Sequence, residues 1–589
     1  MQADPLTNRK SLQITNNCKK TCVDLAMLVG LLFCLFWLQA NDLTIRGEES
    51  RRGRIAWEMI QSGDWLVPRL QGEPWLSRPA LQYWAIAAVG AIRGVVDVWS
   101  IRLPSLIAIS LTTLLIYGVA RLQLSRFGAM SAACVFMTMG QVLQLGRLGE
   151  TEAVFTLFVS GSLLAWYATQ HLGRGCWVGW IVGYFLCALG TLTKGPQAPV
   201  YFCGTVLLYL LWKRDWKRLL SLPHAAGIAV YLTTVLSWQI PFAQHAGQHE
   251  INNAYLSEVF KRFNSVGPLE FMRHLVEFPG EVFFVCLLPW SILLFAYRYP
   301  GFRQKLGSAS DWVVFVGISV AVAFPTVWLP PSSNTRYLMP MYPCFAVLIA
   351  VVLEKLTSTE YRLPSLQNLW SRYGRTVSIG VFVSAAVIPI VMSGWVTPKL
   401  QMDLLPLVAF VVMAVTVGIL ILYLSQSSER ARRHRWELMF AIVLFSGATY
   451  NLVVVNHLQR QSNDPRPSIA QLKRTLPQSD TLISYGLAHH RFTLEFGEKL
   501  PQRKWPTSDE EVTGDPLYFC FSHSYANLPI AQLPFAWDPV AVINCDRHSR
   551  DIPHDLVIVG RRLPQAEADS PVVSEIARRP DQLLQGVIR

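Results

Sequence analysis

The sequence predicts a mainly α, polytopic membrane protein with about 13 transmembrane helices and a small α/β domain at its C-terminal end. Three observations carry this. About half of the 589 residues are apolar and only 15% are charged, against roughly 25% in soluble domains. Apolar runs long enough to cross a bilayer recur throughout residues 23–457. Beyond His457 the pattern changes to short apolar stretches separated by turn-forming residues.

Residues 1–22 form a basic tail in which Arg9, Lys10, Lys19 and Lys20 precede the first apolar run. Polar Gln39, Asn41 and Asp42 follow that run where a signal peptide would show a small-residue cleavage site. It is therefore expected as a retained first span with its N-terminus in the cytoplasm. The runs lie near 23–41, 103–120, 127–145, 153–169, 177–193, 196–212, 219–242, 281–297, 312–329, 338–354, 376–395, 404–424 and 437–457. Residues 80–97 are apolar but short, and are expected as a half-buried re-entrant or interfacial helix.

Charge tests this order. With the N-terminus inside, the cytoplasmic loops hold Arg121 and Arg126, Arg174, Lys213 to Arg218, Arg298 and Arg303, Arg372 and Arg375, and Arg430 to Arg435. The short loops of the opposite side hold Arg147, Lys194, Arg336 and Lys399. This is the positive-inside bias of a cytoplasmic membrane protein. It accounts for the formal net charge of +13 without a nucleic-acid partner. It also places two long loops, 42–102 and 243–280, and the domain 458–589 on the outer, periplasmic side.

In that last domain a helix is expected from Pro467 and strands at 481–486, 517–521, 539–544 and 555–559. It carries no nucleotide loop, zinc spacing or nucleophile elbow, and reads as a scaffold or lid without chemistry. Cys18 and Cys22 form a lone pair with no second ligand pair, so no metal site is expected there. Cys520 and Cys545 fall in an oxidising compartment, where a disulfide between them is an open alternative to two buried thiols.

Chemistry is expected on the outer side, where four polar groups interrupt the apolar pattern. Ile45–Pro79 carries Glu48 and Glu49 ahead of Arg51, Arg52 and Arg54. Ile55, Ala56, Met59 and Ile60 then recur at helical spacing up to Gly63. Trp65 and Trp75 suit a headgroup layer, while acids at a helix start also serve as simple caps. RLGETE brings Arg147, Glu150 and Glu152 into one short loop, where an Arg–Glu pair could merely neutralise itself. TKGP carries Lys194, and TRYLMPMYP carries Arg336 and Tyr337. Lone cations at span ends can be snorkelling side chains. Carboxylates and cations gathered at the ends of separate spans instead favour a site facing the outer leaflet. Transfer from a lipid phosphate fits. Arg and Lys would hold the phosphate, a carboxylate would take the proton of an attacking hydroxyl, and the leaving phosphate needs charge stabilisation above all.

The run EESRRGRIAWEMIQSGDWLVPRLQGEPWLSRPALQYW resembles the first outer loop of the aminoarabinose lipid A transferases and of their dolichyl-phosphate-mannose protein O-mannosyltransferase (PMT-like) relatives. RLGETEAVF, GTLTKGP, KRFNS and NTRYLMPMYP then resemble later motifs of that superfamily, in the same order. The resemblance covers residues 24–457 and implies a GT-C fold. It further implies a glycosyltransferase moving a hexosyl or pentosyl group from a polyprenyl-phosphate donor, with inversion, to a lipid A-like lipid, a glycan or a protein. It puts Glu48 where the family has its catalytic Asp, Glu49 beside it, and Glu152, or else Glu150, on the second acidic position. Arg51, Arg78, Lys194, Arg262 and Arg336 fall on the family's cations, with Arg147, Tyr337 and Trp75 completing the substrate-binding set. Glu48 and Glu152 each replace an Asp, adding about 1.5 Å of reach. Ser77 stands where some members have a metal-binding Glu, so no cofactor is expected, although relatives admit a divalent metal. A monomer in the membrane is expected. Alternatives from other classes are a flippase for lipid-linked sugars and a non-catalytic headgroup-binding relative.

Overall fold

The computed structural model describes residues 5–172, 176–246, 267–358, 366, 368–394, 401–477, 481–512, 514–524, 533–548 and 554–563. It divides into two compact units. One comprises Met1–Ala40, Leu76–Gln82 and Arg102–His457; the other comprises Asn41–Trp75, Tyr83–Ile101 and Leu458–Arg589.

The first unit is helical. Among the described residues ten helices are long and apolar enough to cross a membrane, or eleven if the bent pair Pro268–Cys286 and Ser291–Arg298 is one span. The count of about 13 expected from apolar runs is reduced for local reasons. The run near 127–145 is two helices, Arg126–Thr138 and Gly140–Leu145, broken where Met139 turns extended with ψ 134°. A Cβ on Gly140 would lie 2.6 Å from the carbonyl oxygen of Val285. That carbonyl belongs to the bent pair, whose two parts diverge by 113°. Trp290 bonds Thr138 Oγ1 from its Nε1 at 2.9 Å inside the same contact. Non-helical backbone at membrane depth is tolerated where protein covers it, and here two interrupted helices cover each other. The run near 196–212 is the helix Gln197–Lys213, whose 17 residues reach only about 26 Å.

Several hydroxyls of the unit's helices are satisfied locally. Thr112, Thr113, Ser131, Thr156 and Ser160 each donate to the carbonyl four residues earlier, which removes the cost of an unmatched hydroxyl in hydrocarbon. Small residues set close approaches: a Cβ on Gly190 would meet the Ala198 Cβ at 2.9 Å. Val408, Val412 and Ile419 of the span Leu404–Leu424 remain exposed, the side such a helix offers to lipid.

The second unit is built around the amphipathic helix Glu49–Ser62, which ends as expected at Gly63, left-handed with φ 70°. Its Ile55, Ala56 and Met59 are buried with Tyr83, Ile86, Ala87, Ile101 and Leu494. Gly53 is needed for that packing, since a Cβ there would lie 2.6 Å from Ile101 Cδ1 and 3.2 Å from Leu494 Cδ2. Arg54, the last of the three arginines that follow Glu49, is buried. It pairs with Glu58 at 2.8 Å and donates to the carbonyls of Thr493 and Glu498 at 2.9 and 3.0 Å. A short hairpin follows, β1 (Arg69–Leu70) and β2 (Glu73–Pro74), with Gln71 and Gly72 both at positive φ. The Glu58 carboxylate accepts the turn's two amides at 2.8 and 3.1 Å.

Residues 458–563 of this unit form the expected α/β fold. Helix Arg466–Thr475 and strands β3 (Ile483–Tyr485), β5 (Tyr518–Ser524), β6 (Trp537–Asn544) and β7 (Asp555–Arg562) match the predicted elements. The two-residue β4 (Gln502–Arg503) and the seven-residue helix His490–Phe496 were too short to show periodicity. The sheet order is β4-β3-β5-β7-β6, parallel around β3 and antiparallel from β5 onward. Cys520 and Cys545 are free thiols in the core beside Phe492 and Val559.

Candidate functional site

The motifs at the span ends of the membrane unit converge. Glu150, with extended backbone, caps the helix Thr151–His171, which carries Glu152 in its first turn, where a helix terminus favours negative charge. Lys194 is the last residue of the span Cys176–Lys194, and Gly195 turns the chain away at φ 97°. Arg336 lies in the tight turn Thr335–Met341, whose Asn334 side chain accepts the Arg336 amide at 3.0 Å. Three elements distant in sequence thus deliver one cluster. Lys194 Nζ is 3.1 Å from Glu152 Oε1, with both side chains 2% exposed. Arg336 reaches the same oxygen at 3.5 Å and Glu150 at 4.0 Å. The Lys194 ammonium also lies 4.4 Å from the centre of the Tyr337 ring.

Arg78 joins them through a cavity of about 370 Å³ that it lines with Ser77, Lys194, Tyr231, Val235 and Trp238. The fields of Arg78 and Arg336 both reach Lys194. The arrangement has cations at one place and apolar and aromatic walls beside it. It suits an anionic group attached to a hydrocarbon chain. Ser77 offers this cavity a neutral hydroxyl and no carboxylate, and no group of three metal-binding side chains occurs among the described residues.

Arg147 reaches further elements of the same unit. It is fully buried and donates to the carbonyl of Leu35 and to Asn451 Oδ1, each at 2.8 Å, with the Tyr450 ring 5.1 Å away. It ties the first and last spans together. Arg262 lies outside the described residues.

The remaining predicted residues belong to the second unit. Glu49 is fully buried and accepts the Arg46 amide at 2.8 Å, so it organises the start of its helix. Glu48 keeps 39% of its side chain exposed and pairs with Arg51, whose guanidinium lies 4.8 Å from the Trp75 ring centre. Of the two acids, Glu48 is the accessible one. The next residue, Ser50, bonds His490 Nδ1 at 2.7 Å.

His489, His490 and Arg491 lie in the domain whose sequence shows no chemical motif. They line a cavity of about 290 Å³ together with Glu48, Asp546 and Asp555. The run His489-His490-Arg491 after β3 is the feature the sequence shows there. Burial, and then the charges of His489, Arg51, Arg52 and Arg491, hold His490 well below the usual imidazole range. The folded state therefore resists the proton that the unfolded chain accepts below about pH 6.5. Stability from this group is present above that pH and is lost as pH falls through it. The unfolding temperature is expected to drop between about pH 7.5 and pH 5.5, and His490→Gln should flatten the drop. Equal slopes in wild type and variant would refute the assignment.

Comparison with known proteins gives concordant matches. Residues 77–240 match the family model for dolichyl-phosphate-mannose-protein mannosyltransferase. An undecaprenyl phosphate-alpha-4-amino-4-deoxy-L-arabinose arabinosyl transferase of Pseudomonas aeruginosa (strain UCBPP-PA14) is 30% identical over 323 residues, 54% of this chain and 57% of the relative. A transferase of the same description from Edwardsiella ictaluri is 25% identical over 60% of this chain and 64% of its own length. The matched region thus spans under two thirds of each of these relatives. The crystal structure of ArnT from Cupriavidus metallidurans bound to undecaprenyl phosphate superposes with a TM-score of 0.64 at 16% identity, covering 92% of this chain and 97% of that one. The fold is shared.

Proposed function

We propose, on the premise that this chain belongs to the GT-C superfamily of aminoarabinose transferases and PMT-like proteins, that it is an integral-membrane glycosyltransferase using a polyprenyl-phosphate sugar donor. The observation that carries the reading is the meeting of buried Lys194, Glu152 and Glu150 with half-buried Arg336 at the ends of three spans, with Arg78 lining an apolar-walled cavity beside Lys194. A lipid phosphate needs such a place: cations for the phosphate and hydrocarbon contact for its chain.

In this reading the acceptor oxygen attacks the anomeric carbon, the bond from that carbon to the phosphate oxygen breaks, and configuration inverts. The polyprenyl phosphate leaves into the cations Arg78, Lys194 and Arg336, with Arg262 as a further member. Glu48 takes the acceptor's proton, and Tyr337, Trp75 and Arg51 contribute substrate contacts. Glu152 and Glu150 hold the cations in place and keep the cluster from being an unbalanced buried charge. A hexosyl or pentosyl group moves to a lipid, glycan or protein at the outer face of the cytoplasmic membrane. The N-terminus is then cytoplasmic, the C-terminal domain periplasmic, and the working unit a monomer. No metal is required, because Ser77 supplies no charged ligand. A flippase would instead need its polar groups near the middle of the spans.

Purified protein in lipid nanodiscs, given an undecaprenyl-phosphate sugar and a lipid A acceptor, is expected to release undecaprenyl phosphate as the sugar passes to the acceptor, and to be indifferent to EDTA. Arg336→Ala should lower kcat/KM at least tenfold, whereas Arg273→Ala, an exposed arginine paired within its own helix, should leave it unchanged. Equal effects of the two would sink the phosphate clamp, and EDTA-sensitive turnover would sink the metal-free reading.

A further inference from the structure

The span Thr335–Thr357 carries Arg336 in its first turn. Its other end supplies Glu354 and Lys355 to the wall of a second cavity, of about 670 Å³. Three more segments of the membrane unit complete that wall: residues 123–125 ahead of the helix Arg126–Thr138, Ser308 at the start of the span Ala309–Trp328, and Glu429, Arg432, Arg433 and Arg435 where the chain enters its last span. Loop charge assigns all four segments to the cytoplasmic face. The volume falls in the range of small-molecule sites, roughly 300–1,000 Å³.

Among the described residues the wall holds four cations, Lys355, Arg432, Arg433 and Arg435, and two carboxylates, Glu354 and Glu429. The Glu354 carboxylate is spent on a helix start, where its Oε2 accepts from the amide and the hydroxyl of Ser125, each at 2.9 Å. Glu429 is exposed to water. Of the charges next to the wall, Arg126 is matched by Asp24, His434 bonds Glu437, Arg430 donates to Gln426, and Arg121 donates to the Leu124 carbonyl. Including them leaves the sign positive.

Other cations of this face meet acids inside the protein: Arg126 with Asp24, Lys213 with Asp311, and Arg218 with Asp215. Arg432, Arg433 and Arg435 make no ion pair among the described residues. Arg435 is steadied by the Phe127 ring, whose centre lies 4.9 Å from the guanidinium carbon, and stacking of this kind leaves the edge of the fork to a ligand. Arginine forks suit phosphate oxygens. Apolar Leu122, Leu422 and Tyr423 are exposed close by in sequence, at the ends of the adjoining spans, as contact with acyl chains requires.

We propose that this cavity binds the phosphodiester headgroup of an anionic phospholipid of the cytoplasmic leaflet, at the opposite end of the spans from Arg336. Basic pockets between spans on that side recognise acidic headgroups. Arg432, Arg433 and Arg435 supply the charge and the hydrogen bonds, with Lys355 buried behind them, and the bound lipid joins the ends of spans that are distant in sequence. Nothing in the site depends on the sugar-transfer reading.

The test uses the full chain, stripped of lipid in a neutral detergent. Cardiolipin, phosphatidylglycerol and phosphatidylcholine are the lipid probes, and glycerol 3-phosphate is the free phosphate. Native mass spectrometry reads bound lipid, and thermal unfolding reads its effect. Cardiolipin and phosphatidylglycerol are expected to bind and to raise the unfolding temperature, phosphatidylcholine and glycerol 3-phosphate to do neither. Arg432→Gln/Arg433→Gln should weaken cardiolipin binding about tenfold or more. Lys217→Gln/Arg303→Gln removes two exposed cations of the same face that do not line the cavity, and should change binding by less than about twofold. Arg433→Gln alone, at an exposed position, gives the same comparison if the double variant fails to fold. Equal losses in the two double variants would reduce the effect to general surface charge and overturn the proposal. So would phosphatidylcholine binding as well as cardiolipin, glycerol 3-phosphate matching the lipids, or no lipid bound at all.

Discussion

Glu48→Gln is expected to lower sugar transfer by about 10²–10⁴-fold, the range for loss of a general base, while undecaprenyl phosphate binds as before. The amide keeps the size and hydrogen-bonding reach of the carboxylate but cannot take the proton. It also ends the ion pair to Arg51. With the Glu48 side chain 39% exposed, that loss is worth only a fraction of a kcal/mol, so an effect of the expected size reports on chemistry. Glu48→Asp should retain part of the activity, because it keeps the base and shortens its reach by about 1.5 Å. Full turnover in Glu48→Gln would remove this residue from the mechanism.

The second large effect belongs to the buried pair in the membrane unit. Lys194→Met removes the ammonium 3.1 Å from Glu152 and leaves that carboxylate, 2% exposed, with Arg336 as its cation at 3.5 Å. Breaking a buried pair from one side costs about 3–5 kcal/mol, and the remaining arginine puts the expectation near the lower figure. The double variant Lys194→Met/Glu152→Leu removes both charges and is expected to regain most of that stability, but none of the transfer. Thermal unfolding in detergent measures the first quantity and undecaprenyl phosphate release the second. A double variant no more stable than the single one would show that the pair is not coupled.

Much of the architecture was legible because a membrane writes simple signals. Apolar length and loop charge placed most spans, and the Gly63 stop of the first polar helix is where Gly permits positive φ. The span count ran high because an apolar run records composition and not continuity. Nothing in residues 127–145 announces that Met139 turns extended, or that Gly140 meets the Val285 carbonyl. At the site, Lys194, Arg336, Glu150 and Glu152 were legible as charges that hydrocarbon does not tolerate without purpose. Their partners were less so. Arg147 also bonds the Leu35 carbonyl and Asn451, partners more than 100 residues away that the short loop does not announce. The histidines at 489 and 490 escaped notice since they follow a three-residue strand, and only the fold sets them beside Glu48.

The buried cluster also has a kinetic consequence. In the proposed site Arg78, Lys194 and Arg336, with Arg262 as a further member, outnumber the carboxylates Glu150 and Glu152 and leave an excess of positive charge. In the proposed reaction the donor is a phosphodiester with a single negative charge. The departing polyprenyl phosphate is a monoester that gains a second charge as its last proton leaves, near pH 6 to 7 for such groups. The same pocket therefore grips the product harder than the substrate, so that escape of the spent carrier, and not sugar transfer, limits the steady state. A rapid first turnover followed by a slower rate, relieved by a phosphatase that consumes the carrier, is the signature of that imbalance.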